Sequence, residues 1–226
     1  SDPADNSGSI RYISIRHGWT NIGEGNEING LTLGGVGSGT TVENVEIVSN
    51  QDDGIEWFGG TVNVTNVVVW NSGDDAIDTD QSWGGTLDNF IIINPGDECL
   101  ELDGPEGTMV AKHTIKNGTL YAGNAEGIAD LDDGGISSDS NVDIDGLYVF
   151  GLKAGQDFDA VPTYYTCTFA NFQATLPAGS AVTDFFKDGS AAFVTEVAQG
   201  ARTVGASVSS FAGWSWTAVA GTLTGF

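Results

Sequence analysis

Six stretches of the chain can be written one beneath another, and that repeat limits the possible folds more than any other feature. They are Ile10-Arg11-Tyr12-Ile13-Ser14-Ile15, Val42-Glu43-Asn44-Val45-Glu46-Ile47, Val64-Thr65-Asn66-Val67-Val68-Val69, Leu87-Asp88-Asn89-Phe90-Ile91-Ile92, Ile115-Lys116-Asn117-Gly118-Thr119-Leu120 and Ile144-Asp145-Gly146-Leu147-Tyr148-Val149. From Asn44 to Asn66 is 22 residues, from there to Asn89 is 23, and on to Asn117 is 28. A second series follows each of the earlier stretches about ten residues later. It runs through Asn29-Gly30-Leu31-Thr32-Leu33, Asp53-Gly54-Ile55-Glu56-Trp57, Asp75-Ala76-Ile77-Asp78-Thr79-Asp80, Glu98-Cys99-Leu100-Glu101-Leu102-Asp103 and Glu126-Gly127-Ile128-Ala129-Asp130.

Side chains alternate across a strand. That places Leu31, Ile55, Ile77, Leu100 and Ile128 in an interior stack, and Thr32, Glu56, Asp78, Glu101 and Ala129 in a surface column. A period of 22–28 residues carrying short strands and stacked aliphatics predicts an all-β, right-handed parallel β-helix. Asn at one turn of successive coils fits, because each amide can bond the one above and below. A β-sandwich would instead show hairpin turns every 8 to 12 residues and no fixed repeat. The 33 glycines among 226 residues suit tight turns and argue against helices. With 40% apolar residues, the chain can bury a core.

The regular coils are expected over residues 1–150. Residues 151–226 read as irregular final coils and a C-terminal cap of the same domain, with Trp214 and Trp216 as the plug; a sugar-stacking platform is the other reading of that pair. Cys99 and Cys167 permit one bridge from tail to coils, although Cys99 also fits as a small core residue in the place of Gly54 and Ala76. No apolar run reaches the roughly 18 residues of a membrane span. The start, Ser1-Asp2-Pro3-Ala4, lacks an initiator Met, so a longer polypeptide is expected.

Thirty-one acidic against seven basic residues give a net charge of −24, which repels phosphate backbones and excludes nucleic acid as a partner. Much of that charge falls in the repeat: Asp52, Asp53 and Glu56; Asp74, Asp75, Asp78 and Asp80; Asp97, Glu98, Glu101 and Asp103; then Glu126, Asp130, Asp132 and Asp133. Coils lie about 4.8 Å apart, so stacked carboxylates repel unless something sits between them. Calcium takes six to eight oxygens, which makes Asp53, Glu56, Asp75, Asp78, Asp80, Glu101 and Asp103 the candidate metal ligands. The plainer reading is a solvated acidic face, or carboxylates that accept backbone N–H bonds at turns.

Asn50-Gln51-Asp52-Asp53-Gly54 and Gly73-Asp74-Asp75-Ala76-Ile77 resemble the paired-Asp motifs of polygalacturonase-type glycoside hydrolases, which share the pectin-lyase-like β-helix. That resemblance implies Asp52, Asp53, Asp74 and Asp75 as catalytic carboxylates, with Trp57, Trp70 or Trp83 as apolar platforms beside a groove. The family's downstream Gly-His-Gly and Arg-Ile-Lys motifs are missing. A lyase would need a basic residue as base and cations to meet a uronate, and the seven Lys and Arg do not cluster.

A longer resemblance is carried by Gly30-Leu31-Thr32-Leu33-Gly34-Gly35-Val36-Gly37-Ser38-Gly39, Asp52-Asp53-Gly54-Ile55-Glu56-Trp57-Phe58-Gly59-Gly60, Gly73-Asp74-Asp75-Ala76-Ile77-Asp78 and Glu101-Leu102-Asp103-Gly104-Pro105-Glu106-Gly107. These are similar to a family of uncharacterised exported proteins of Bacteroidota. The resemblance implies secretion or lipid anchoring at the extracellular side of the outer membrane, with an N-terminal β-helical half preceding this part. That family has no established reaction, so no catalytic residue carries over. The expectation is therefore a non-enzymatic surface or secreted protein, structural or glycan-binding. Calcium would sit in its acidic column, and a surface glycan or envelope protein would be its partner; a glycoside hydrolase is the alternative.

Overall fold

An Asn at the centre of four of the long strands turns the chain. In the computed structural model, which describes residues 2–18, 28–159 and 161–226, Asn44, Asn66, Asn89 and Asn117 have φ of 57°, 58°, 61° and 56°. Tyr12 and Gly146 occupy the same place with φ of 55° and 77°. That left-handed conformation costs most residues free energy, and Asn and Gly tolerate it best. Each strand is thereby bent into two halves. The amides stack across the coils: Asn66 Nδ2 donates to Asn44 Oδ1 at 2.9 Å, and Asn89 Nδ2 to Asn66 Oδ1 at 2.5 Å. Asn117 departs from the row and donates to Asp88. A second left-handed row, not picked out in the repeat, runs through His17, Ser49, Asn71 and Asn94.

The coils contribute strands in pairs: β1 (Ser9–Arg16) and β2 (Leu31–Gly34), β3 (Thr41–Val48) and β4 (Ile55–Gly60), β5 (Val64–Trp70) and β6 (Ile77–Trp83), β7 (Thr86–Ile93) and β8 (Leu100–Leu102), β9 (His113–Tyr121) and β10 (Asp130–Leu131). Then follow β11 (Val142–Phe150), β12 (Thr168–Ala170), β13 (Phe172–Ala174) and β14 (Val194–Glu196). Every pairing is parallel. The long strands form one sheet in the order β1-β3-β5-β7-β9-β11-β13-β14, with β12 also beside β11, and β2-β4-β6-β8-β10 form the other. The result is a parallel β-solenoid of about seven turns, as the repeat predicts.

Register follows the repeat closely in the long-strand sheet. Ile10, Val42, Val64, Leu87, Ile115 and Ile144 are successive partners. In the next inward row, Phe90 partners Gly118, where an added Cβ would lie 2.2 Å from the Phe90 ring. Glycine there makes room for the largest side chain of its row. The short-strand sheet keeps Leu31, Ile55, Ile77 and Leu100 in line, but Glu101 partners Asp130. The sequence alignment of Glu101 with Ala129 is thus corrected by one residue, and the outward column ends in a carboxylate. The longer fifth-coil turn shifts the frame.

Of three aromatics expected at the surface, two lie in the core and the third is covered. Trp57 and Trp83 are fully buried and stack at 4.8 Å, and buried His113 extends the stack 5.2 Å from Trp83. Burial pulls the His113 imidazole down to about 3, so it is neutral. Trp70 faces outward but is covered by Trp216 at 5.1 Å.

The C-terminal end is closed by phenylalanines rather than by tryptophans. Phe158 packs against Phe169, Phe172, Phe186 and Phe193 at centroid distances near 6 Å. Phe158, Phe172 and Phe186 continue the core that runs through the coils, with Phe169 and Phe193 packed against it. Trp214 and Trp216 instead lie in a final segment that folds back along the outer face of the long-strand sheet. There Phe211 and Leu223 bury Val68, Ile91 and Ile93, with Trp70, Trp214 and Phe226 at the margin. Cys99 and Cys167 are both free; Cys99 is buried in the core, and Cys167 Sγ lies 3.4 Å from the Ser140 carbonyl.

Candidate functional site

Alternation along β4, β6, β8 and β10 sends Ile55, Ile77 and Leu100 inward, so Glu56, Asp78, Glu101 and Asp130 stack on the outside. The turn before each strand adds a second set: Asp52 and Asp53, Asp74 and Asp75, Asp97 and Glu98. A register shift between Glu56 and Phe58 places Asp80 at an irregular step of the sheet. The face is enclosed at one end and open at the other: Asp53, Glu56, Asp75 and Asp78 are buried, Glu101 is half-buried and Asp130 is exposed.

Part of this arrangement is backbone support. Asp53 Oδ1 accepts the Asp75 N–H at 3.2 Å, and Asp75 Oδ1 accepts the Glu98 N–H at 2.6 Å. Each carboxylate thus ties its turn to the next coil, satisfying a donor that would otherwise go unpaired. Asp78 differs. Its Oδ1 is buried and has no hydrogen-bond partner, as is Glu98 Oε2. Asn29 donates its amide to Glu56, a contact the sequence reading did not anticipate.

Two groups of carboxylates converge, with one oxygen from each member within 4.8 Å of the others: Asp52, Asp53 and Asp74, and Asp53, Glu56 and Asp78. Asp53 belongs to both. Of the other predicted ligands, Asp75 is engaged with the Glu98 amide and with Glu101. Asp80, Glu101 and Asp103 continue the charge along the face without joining a third such group among the described residues.

Burial and crowding oppose ionisation throughout. Asp53 is pushed from 3.8 to about 8 by burial, then by the charges of Asp52 and Glu56. Burial, reinforced by Asp97 and Asp130, takes Glu98 from 4.5 to about 8. Asp103 rises to about 7 and Asp74 to about 6, burial leading in both. Asp78 and Asp75 are pushed up further, by burial first, then by Asp53 and Glu101 around Asp78 and by Glu101 beside Asp75.

No basic residue relieves this crowding in the converging groups. Arg11, Arg16, Lys112 and Lys116 pair with Glu43, Glu46, Asp143 and Asp88, all outside them. Lys153 donates to Asn124, while Lys187 and Arg202 donate to backbone carbonyls. A cavity of about 390 Å³ opens where β4 and β6 end, lined by Phe58, Gly60, Gln81, Ser82, Met109 and one carboxylate, Glu106. None of Asp52, Asp53, Asp74 or Asp75 lines it. Chemically, the face offers hard oxygen ligands and protonatable groups.

A family model described as a pectate-lyase like beta helix domain matches residues 1–216. No curated protein and no solved structure matches the chain.

Proposed function

The chain belongs to the pectate-lyase-like β-helix family, and on that premise we propose that it is a non-enzymatic, exported or cell-surface protein whose acidic face binds divalent cations, calcium first. A surface glycan or another envelope protein is the partner presented to that face. The family's β-helix fits a cell-surface or polysaccharide-related role; the cation is argued from the residues.

The observation that carries the reading is Asp78. Its Oδ1 is buried without a partner among Asp53, Glu56 and Glu101, whose charges all oppose its ionisation. The Asp78 carboxyl also bonds that of Glu56, but a buried oxygen left without a partner is costly, and a hard cation bound to oxygen ligands removes both the repulsion and the unmet valence. Asp53, Glu56 and Asp78 would hold the ion, with Asp52 and Asp74 reached through the shared Asp53. Support for a binding role over a catalytic one comes from Asp53 and Asp75, each of which spends an oxygen on the neighbouring coil's backbone.

Calorimetric titration of calcium into chelator-treated protein tests the reading. Wild type is expected to bind and to gain thermal stability, and Asp78→Asn to lose both. Unchanged melting with and without EDTA would count against the ion. If purified protein cleaved a polysaccharide and Asp75→Asn abolished cleavage, the non-enzymatic reading would be wrong.

A glycoside hydrolase is the second reading. It is favoured by the convergence of Asp52, Asp53 and Asp74 together with the raised Asp74, since retaining enzymes set two carboxyls about 5 Å apart and keep one protonated. The same cleavage assay decides it.

A further inference from the structure

We propose that residues 206–226 form a detachable latch on the outer face of the long-strand sheet, closed on the first two coils by Glu46 and opened by acid. No strand lies within this segment; the last one, β14, ends at Glu196. It is held by side chains and isolated amides, so it can leave without breaking a ladder. Ala206 N–H donates to Thr119 Oγ1 at 2.9 Å, and Ser207 N–H to Asn89 Oδ1 at 2.7 Å. The segment therefore starts over β9 and β7 and works back toward the other end of the solenoid.

Its far end closes on Glu46. That side chain is fully buried, and Oε1 accepts both the Thr217 N–H at 2.7 Å and the Thr217 hydroxyl at 2.6 Å. Oε2 accepts the Ser14 hydroxyl at 2.5 Å and faces Arg16 Nη2 at 3.5 Å. Trp216 lies between Trp70, stacked at 5.1 Å, and the Arg16 guanidinium at 5.0 Å, while Trp214 meets Tyr12 edge-on at 6.3 Å. So the latch grips β1, whose residues are otherwise mostly exposed.

The ionised carboxylate accepts from Ser14, from the amide and hydroxyl of Thr217, from Arg16 and from the Trp216 backbone at once; a protonated one must turn a hydrogen toward one of them. Burial pushes the Glu46 carboxyl up, but the bonds from Ser14 and Thr217 outweigh it and hold it below 4.5. The groups packed around it are few. Arg16 of β1 is the one charged partner; the latch presents the hydroxyl and amide of Thr217, and β5 presents Val68 in register. Protonation puts a hydrogen on an oxygen already facing donors and weakens the Arg16 attraction. Two hydrogen bonds between Gln173 and Thr203 anchor the chain just before the segment, and Gly205, at φ of 95°, follows that anchor as the point from which the segment can swing.

Hydrogen exchange read by mass spectrometry on the whole protein tests the latch. Between pH 7 and pH 3, the protection of amides 206–220, corrected for intrinsic rate, is expected to fall about tenfold or more while β5 and β7 keep theirs. Glu46→Gln should show the weakened latch already at pH 7 and no step on acidification. Thr217→Val, changed on the latch itself, should lower the same protection with the coils intact. Latch and strands losing protection together would overturn the proposal, as would a wild-type pH step retained in Glu46→Gln or undiminished latch protection in Thr217→Val.

Discussion

Asp78 on the short-strand face and Glu46 on the long-strand face are both more than nine-tenths buried, yet burial leads to opposite charge states. Asp78 looks out on Asp53, Glu56 and Glu101 and is pushed toward protonation. Glu46 meets two hydroxyls, an amide and a guanidinium, and is held ionised. Desolvation acts in the same direction on both; the donors decide. The acidic face is relieved by protonation or, on the calcium proposal, by a cation from outside, whereas the latch has its cation, Arg16, built in.

Deleting Glu46 should separate the two faces most sharply. Glu46→Ala strips the buried Thr217 amide and hydroxyl of their acceptor, which costs about 3 kcal/mol of stability by the measure of charged buried hydrogen bonds. Chemical denaturation at neutral pH reads it; a change below about 1 kcal/mol would mean that Trp216 and Phe211 hold the latch without the carboxylate.

Acidity should then move the faces in opposite directions. A carboxyl whose folded-state value lies above its unfolded one costs stability as pH rises between the two, so Asp53 and Glu98 lose stability from about pH 4 up to about 8. In EDTA, lowering the pH from 8 to about 5 is expected to stabilise the protein by roughly 2 kcal/mol, well short of the full shifts because solvent screens the outer carboxylates. Glu46, held low, contributes stability above 4.5 that is lost as pH falls through its folded value. Melting temperature against pH should therefore rise and then turn over. A monotonic curve would sink the contrast.

Asp78→Asn carries the comparison to a single residue. In the absence of metal it removes a buried charge problem and should stabilise by about 1 kcal/mol, the reverse in sign of any change at Glu46. With calcium present the same variant should melt below wild type. The smallest effect is expected at Asn89, which joins the amide row to the latch. Asn89→Gly keeps the left-handed bend and deletes the bonds to Asn66 and Ser207, costing about 1 kcal/mol or less with no pH dependence.

The solenoid was legible because its two determinants are local. Asn at a left-handed bend and aliphatics in alternation recur at coil spacing, and Asn44, Asn66 and Asn89 fall at steps of 22 and 23 residues. The short-strand face was legible in composition but not in depth. Nothing in Asp53-Gly54-Ile55-Glu56 tells that these carboxylates are enclosed, because enclosure depends on the turns of adjacent coils. The one-residue error at Asp130 arose where a turn lengthened.

The latch left a signal that went unused. Val67-Val68-Val69 and Phe90-Ile91-Ile92-Ile93 are apolar on both faces of the sheet, which implies that both faces are covered. Glu46 partners Val68 in that outward row, a charge among apolar neighbours that called for a donor from elsewhere. The size and apolarity of Trp214 and Trp216 suit an end plug, a sugar platform or a side cover alike; only long-range packing distinguishes them.

Coils that touch only their neighbours can form in any order and fray from either end. The bond between Glu46 and Thr217 spans 171 residues, and it turns that open stack into a closed circuit. During synthesis β1 would stay ungripped until Thr217 is in place. Loss of the segment that follows Gly205 would therefore be felt at β1, at the far edge of the sheet.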